Sequence, residues 1–295
     1  MINDTINTFV DFLSRKTLIA ILIVIAIGVI IHLIQPLPEL ENHTVSVLVC
    51  NSTNVDSIME VNDSLVMPVL YQKVPNLKDI HYKERMQKFI DMMLPSVLMA
   101  KEKIVQERYR VLEVDAALRA GMGSRRDSLY LVKMKNKFKT DKTSEVLRRL
   151  HPHPVSIVLA QAAIESGWGT SRFCREANNV YGIWSYNTEE KRIRAGESRN
   201  GKNIYLRKYD SIFESIYDYY QTIAKANAYK QFREVRLQTD NPYRLIWYLS
   251  NYSEKRYEYV RALRNVIEFN NLHKYDDYRL APIREEDEIW QSLLQ

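Results

Sequence analysis

The chain has 295 residues, 46% hydrophobic and 26% charged, with eight glycines, nine prolines and two cysteines. That composition excludes a disordered, collagenous or disulfide-stapled chain and leaves room for one sizeable folded domain plus extensions. The net charge of +6 suits polyanionic partners, but with no long Lys/Arg block and no nucleic-acid motif it points to no nucleic acid.

Residues 18–34, LIAILIVIAIGVIIHLI, carry no charge. As a helix they reach roughly 26 Å, and their neighbours extend this to the ~30 Å of a bilayer core. Arg15 and Lys16 precede the run, and Glu39 and Glu41 follow it. The positive-inside rule then predicts a cytoplasmic N-terminus over 1–16, a single transmembrane signal anchor over 17–35, and export of the rest. No small-x-small cleavage site follows closely. Residues 36–78 carry Pro, Asn and Ser around two short β-like runs, 45–49 and 66–71, which reads as a linker with a possible strand pair. Cys50 follows Val49, a poor site for lipid modification.

A folded domain is predicted over 79–275. Met86, Phe89, Ile90 and Met93 lie at helical spacing, and Pro95 is expected to end that helix or begin the next. A second helical run reaches Gly121, a basic helix covers 128–137, and Ser144 is expected to cap EVLRRL. His151 and His153 are paired, yet no carboxylate or Cys cluster accompanies them at ligand spacing, so no metal site is expected. Residues 155–164 are apolar except Ser156 and Gln161, as in a core helix. Glu165 ends that helix, two residues before the helix-stopping Gly167. Burial and the negative end of the helix dipole both disfavour its ionised form, so its pKa is expected to be raised. A carboxylic acid still protonated near neutral pH is suited to general-acid chemistry.

Fifteen of the nineteen tyrosines lie after residue 180. Asn200-Gly201, between two partly alternating runs in 191–209, is a strong hairpin signal, and Glu197 lies just before it. Helices are expected over 210–226, 243–249 and 255–269, with residues 276–295 forming an acidic amphipathic tail. No internal repeat, phosphate loop or Ser-His-Asp pattern is present, and no cofactor is expected.

VSIVLAQAAIESGWGTSRFCREANNVYGIWSY, followed by NYSEKRYEYV, resembles the peptidoglycan N-acetylglucosaminidases of glycoside hydrolase family seventy-three, the flagellar and autolysin type, and most of all the bacterial Bax-type branch. The similarity runs from about Met86 to Leu272. It implies a mainly α, lysozyme-like helical domain with a small β-hairpin lobe, acting on peptidoglycan glycan strands outside the inner membrane. It implies Glu165 as the general acid and a second carboxylate in the hairpin lobe, for which Glu197 is preferred over Glu189 and Glu190, with an acetamido-assisted route that needs no enzymic base as the alternative. The family's groove tyrosine maps onto Tyr252. Trp168, Tyr181, Trp184 and Tyr186 become candidates for stacking on sugars, with core packing as the alternative for each. A lytic transglycosylase and a non-catalytic wall-binding module of the same fold are the rival readings.

Overall fold

The computed structural model describes the backbone of residues 44–199 and 202–295, without the side chains of 197–202. The signal-anchor segment over 17–35 lies outside the described residues. Among those that are described, no helix is long and apolar enough to cross a membrane.

Residues 44–295 form one compact unit, mainly helical with three two-stranded sheets. Its axis is α1, Tyr82–Arg119. Twelve consecutive residues of α1, from Phe89 to Ala100, are buried, so this stretch of the helix is enclosed on every side. Pro95 sits inside it and neither ends nor starts a helix. The expected break was a local-propensity argument, and burial against the helices Val155–Ser166 and Ile212–Lys225 and the strand Val69–Tyr71 overrides it.

α2, Arg125–Lys137, starts from a capping box in which Ser124 and Asp127 satisfy each other's backbone N–H. α3, Thr143–Arg149, is preceded by Lys142, which makes no side-chain cap, so Ser144 lies within the first turn and is not the cap expected for it. α4, Val155–Ser166, has ten of its twelve residues buried. Pro154 at its N-cap offers no side-chain acceptor, and Asp276 supplies one from the far end of the chain. Its two carboxylate oxygens accept from the Ser156 backbone N–H at 2.7 Å and the Ser156 hydroxyl at 2.8 Å. α5, Arg172–Ala177, follows the turn after α4.

The three sheets are small. β4, Arg192–Arg199, and β5, Lys202–Arg207, pair antiparallel from Arg192 opposite Arg207 to Arg199 opposite Lys202, with positions 200 and 201 between them. β1, Leu48–Cys50, and β3, Val69–Tyr71, pair in parallel, and β2, Leu65–Val66, pairs in parallel with β6, Arg279–Leu280. The β1–β3 ladder joins the two β-like runs noted in 36–78 as a possible strand pair, and the segment that carries them is more than a linker. From residue 44 onward the segment packs into the body, with Val69, Leu70, Tyr71, Val74 and Leu77 all buried. The tail at 276–295 is likewise integral. Its helix, Glu288–Leu294, is capped by Asp287, buries Trp290, and has its Leu293 carbonyl bonded by Lys103.

α6, Ile212–Lys225, is capped by Ser211 and buries Tyr219, Tyr220 and Gln221 among its aliphatic residues. α7, Lys230–Val235, α8, Pro242–Leu245, and α9, Tyr257–Phe269, complete the body, and the helix Glu288–Leu294 is α10. α9 and α1 both pack against α4, enclosing the helix that carries Glu165.

Candidate active site

The last turn of α4 is set by sequence. Gly167, at its C-cap, has φ of 57°, and Trp168 and Gly169 follow at 57° and 77°. Three successive left-handed residues reverse the chain directly after Glu165. Glycine adopts this region freely, whereas Trp168 does so under strain. Ser166 braces the turn, its hydroxyl donating to Ala162 O and accepting from the Gly169 N–H at 2.9 Å. A Cβ on Gly169 would lie 3.1 Å from Phe89 and 3.2 Å from Leu77. The α1 core and the N-terminal segment therefore pack directly beneath the turn.

Glu165 is half-buried, and burial raises its pKa above the ordinary carboxylate range. Tyr259, in the first turn of α9, donates its hydroxyl to Glu165 Oε1 at 2.8 Å, which pulls the pKa part of the way back. Gln161, one turn before Glu165 on α4 and fully buried, donates to Tyr259 Oη at 3.0 Å. The side chain bonded to the acid is thus Tyr259. Tyr252, singled out from the motif, stacks on Tyr259 with ring centroids 5.6 Å apart and planes 7° from parallel. Sequence reasoning missed Tyr259 although it lies in the same NYSEKRYEYV stretch. Its helical spacing with Val260, Leu263 and Ile267, all buried, turns it toward α4 and was the available signal.

The aromatic candidates separate. Trp168 is half-buried with its ring edge-on to Phe89 at 5.6 Å. Tyr181 is 4% exposed, stacked on Tyr219 at 4.2 Å, and is a core residue; this overturns its assignment to sugar stacking. Its ring has no free face. Trp184 and Tyr186 are exposed, 40% and 83%, with ring centroids 6.2 Å apart. Residues 183–185 run along β5, where Ser185 N–H donates to Tyr205 O and Arg207 N–H to Ile183 O, so the pair belongs to the hairpin lobe. A second exposed pair, Trp247 and Tyr257, was not foreseen.

Of the acidic candidates, Glu189 lies exposed on the loop before β4, beside Thr188. Glu190 is tied to Arg207 at 3.2 Å. Glu197 lies in β4 between the pairs Arg194 with Tyr205 and Ser198 with Asn203, where β4 holds two more residues than its partner. That irregularity is a bulge, a device that re-aims side chains. The Glu197 side chain is outside the described residues. The lobe is fastened to the acid's side of the molecule by Arg172, at the start of α5, whose guanidinium donates to Arg194 O at 2.8 Å. His153 is 2% exposed among Tyr219, Tyr220 and Phe232 and serves the packing of α4 and α6. Both cysteines are free, Cys174 buried and Cys50 half-buried.

Residues 141–272 match the family model "Glucosaminidase: Mannosyl-glycoprotein endo-beta-N-acetylglucosaminidase", a narrower span than the motifs suggested. The chain is similar to Protein bax of Escherichia coli, 32% identical over 111 residues, covering 37% of this chain and 38% of that one. It is also similar to the exo-glucosaminidase LytG of Bacillus subtilis, 29% identical over 131 residues, covering 41% and 46%. The chain thus spans less than half the length of these curated relatives. Among solved structures it aligns with the catalytic domain of the autolysin Auto from Listeria monocytogenes, at 18% identity and a TM-score of 0.36, over 60% of this chain and 88% of that one. Residues 141–272, the span that matches the glucosaminidase family model, hold Glu165, Tyr259 and the hairpin lobe.

Proposed function

We propose that this chain is a membrane-anchored peptidoglycan hydrolase, an endo-β-N-acetylglucosaminidase of lysozyme-like architecture that cleaves the glycan strand with Glu165 as general acid. The observation that carries the reading is the setting of Glu165: a half-buried carboxyl with a raised pKa, in the last turn of an otherwise buried helix, inside the span that matches the glucosaminidase family model. A raised pKa enlarges the protonated fraction of the acid, and the protonated form passes its proton to the leaving glycosidic oxygen. The carboxylate left behind keeps the Tyr259 hydrogen bond, which favours the charged state just formed.

Glu197 is the proposed second carboxylate, supported by its place in a bulged strand of the lobe. Trp184 and Tyr186 present an exposed aromatic surface on that lobe for sugar faces. Residues 17–35 are the proposed inner-membrane anchor, with the catalytic body facing the wall. The net charge of +6 favours encounter with a polymer that bears lactyl and peptide carboxylates.

The test is digestion of purified sacculi followed by mass spectrometry of the products. Wild type is expected to release fragments with reducing N-acetylglucosamine ends. Glu165→Gln is expected to lose at least about a hundredfold in rate while still binding sacculi. Anhydromuramyl products would identify a lytic transglycosylase, and binding without release from wild type would identify a wall-binding module. Fractionation tests the anchor, since mature-size protein released by alkaline washing overturns it.

A further inference from the structure

Behind Glu165 the hydrogen bonds do not stop at Gln161. Tyr219, on α6, donates its hydroxyl to Gln161 Oε1 at 2.5 Å. His153 Nε2 lies 3.0 Å from Tyr219 Oη, and Arg236 Nη1, just after α7, lies 3.5 Å from His153 Nδ1. Gln161, Tyr219, His153 and Arg236 are each at most 2% exposed. The chain therefore runs from a buried cation to the proposed acid through α7, α6, α4 and α9, without reaching solvent on the way.

Its direction follows from chemistry. A guanidinium has donors and no acceptor, so His153 Nδ1 must accept and the single imidazole proton sits on Nε2. Nε2–H donates to Tyr219, Tyr219 to Gln161 Oε1, the Gln161 amide to Tyr259, and Tyr259 to Glu165 Oε1. The reverse polarity needs a proton on His153 Nδ1, which would set two donors face to face. Arg236 excludes it. Arg236 is itself held by the Arg148 and Arg149 carbonyls at the C-terminus of α3, at 3.2 and 3.0 Å, the negative end of that helix. Burial lowers its pKa to about 9, and it stays charged at neutral pH. Burial also lowers the pKa of His153, helped by the charges of Arg236, Lys101 and His151; the other groups around the ring are Tyr219, Tyr220 and Phe232.

We propose that Arg236, His153 and Tyr219 are positioning residues that polarise this chain in one direction, so that Glu165 Oε1 is always a hydrogen-bond acceptor and the transferable proton is confined to Oε2. The proposal rests on reading Glu165 as the acid. Without the one-way chain, Gln161 can rotate its amide, Tyr259 can turn its proton inward, and the acid's proton divides between two oxygens. Only one of those oxygens then addresses the glycosidic bond.

The experiment is a carbon-13 NMR titration of the Glu165 side-chain carboxyl, assigned by its loss in Glu165→Gln, beside the pH profile of kcat/KM. Tyr219→Phe keeps the ring stacked on Tyr181 and removes the relay hydroxyl. It is expected to raise the Glu165 pKa by about half to one unit, the usual worth of a hydrogen bond, and to move the alkaline limb of kcat/KM up by the same amount. Tyr259→Phe is expected to give the same shift, and the double variant no further one. Tyr220→Phe is the control: its hydroxyl is buried without a partner beside His153, outside the chain, and its removal is expected to move neither readout. An unmoved titration in Tyr219→Phe, or additive shifts in the double variant, overturns the proposal. Should Tyr219→Phe not fold, nitrogen-15 shifts of wild-type His153 decide instead: the Nε2–H tautomer from pH 5 to 8 is expected, and the Nδ1–H tautomer or a protonated ring refutes the chain. Neither NMR readout needs turnover. If Glu165→Gln keeps full activity while these shifts appear, it is the acid reading that fails and not the chain.

Discussion

At the scale of the residue, Glu165 carries a cost that is measurable without substrate. Its pKa is raised by burial, so between the unfolded and folded pKa values the native state holds more protons than the unfolded state, and stability falls as pH rises through that window. Glu165→Gln removes the titration and still accepts from Tyr259. The variant is expected to melt above wild type at pH 7, by roughly 2–4 °C per kcal/mol recovered, and the gap is expected to close as pH falls below the ordinary glutamate pKa, where both states are protonated. Scanning calorimetry across pH checks this. If Glu165 is the proposed general acid, activity follows the same group, because that acid must be protonated; the rate is then expected to fall as pH rises through the raised pKa. Glu165 was legible in the sequence because its evidence is local: an apolar helix, one carboxylate, a stop glycine. Its partner was not. Tyr252, Tyr257 and Tyr259 share one motif, and only a contact across 94 positions shows that Tyr259 reaches the acid. Tyr181 misled for the same reason, since a stacking tyrosine and a core tyrosine read alike until the neighbouring helix is placed.

At the scale of the element, the turn 167–169 determines where α4 ends and therefore where the carboxyl sits. Gly169 has φ of 77°, and a Cβ there would press on the Phe89 and Leu77 side chains at 3.1 and 3.2 Å, so both would have to give way. Gly169→Ala is expected to destabilise the fold by about 1–3 kcal/mol and to lower kcat more than it raises KM. Thermal melts and steady-state kinetics on glycan fragments test both. The hairpin was readable from Asn200-Gly201, a two-residue turn signal that needs no tertiary information, although the bulge beside Glu197 gave no sign of itself. Pro95 shows the opposite limit. Its ring marks a helix end by propensity, but a helix buried from Phe89 to Ala100 has its conformation imposed by what surrounds it.

At the scale of the whole molecule, the family match covers 141–272, whereas the folded unit extends from 44 to 295. The difference was invisible from local patterns because parallel pairing of β2 with β6 joins residues more than two hundred positions apart. A chain trimmed to 79–275 would lose Val69, Leu70, Tyr71, Val74 and Leu77 from the core, at about 1.5–3 kcal/mol each. That loss matches the net stability of a typical domain. Such a fragment is expected to be insoluble or to lack a cooperative transition, and circular dichroism melting of it beside 44–295 is the check. The ladder also bears on how the chain can be rewired. Val45 bridges Ile283, and Val47 N–H reaches Asp287 at 3.1 Å, so the start and the closing segment of the folded unit lie side by side. A circular permutant of 44–295, with its old ends joined by a short flexible linker and new ends opened between Asn200 and Gly201, should therefore keep every buried contact and move the termini to the tip of the hairpin lobe.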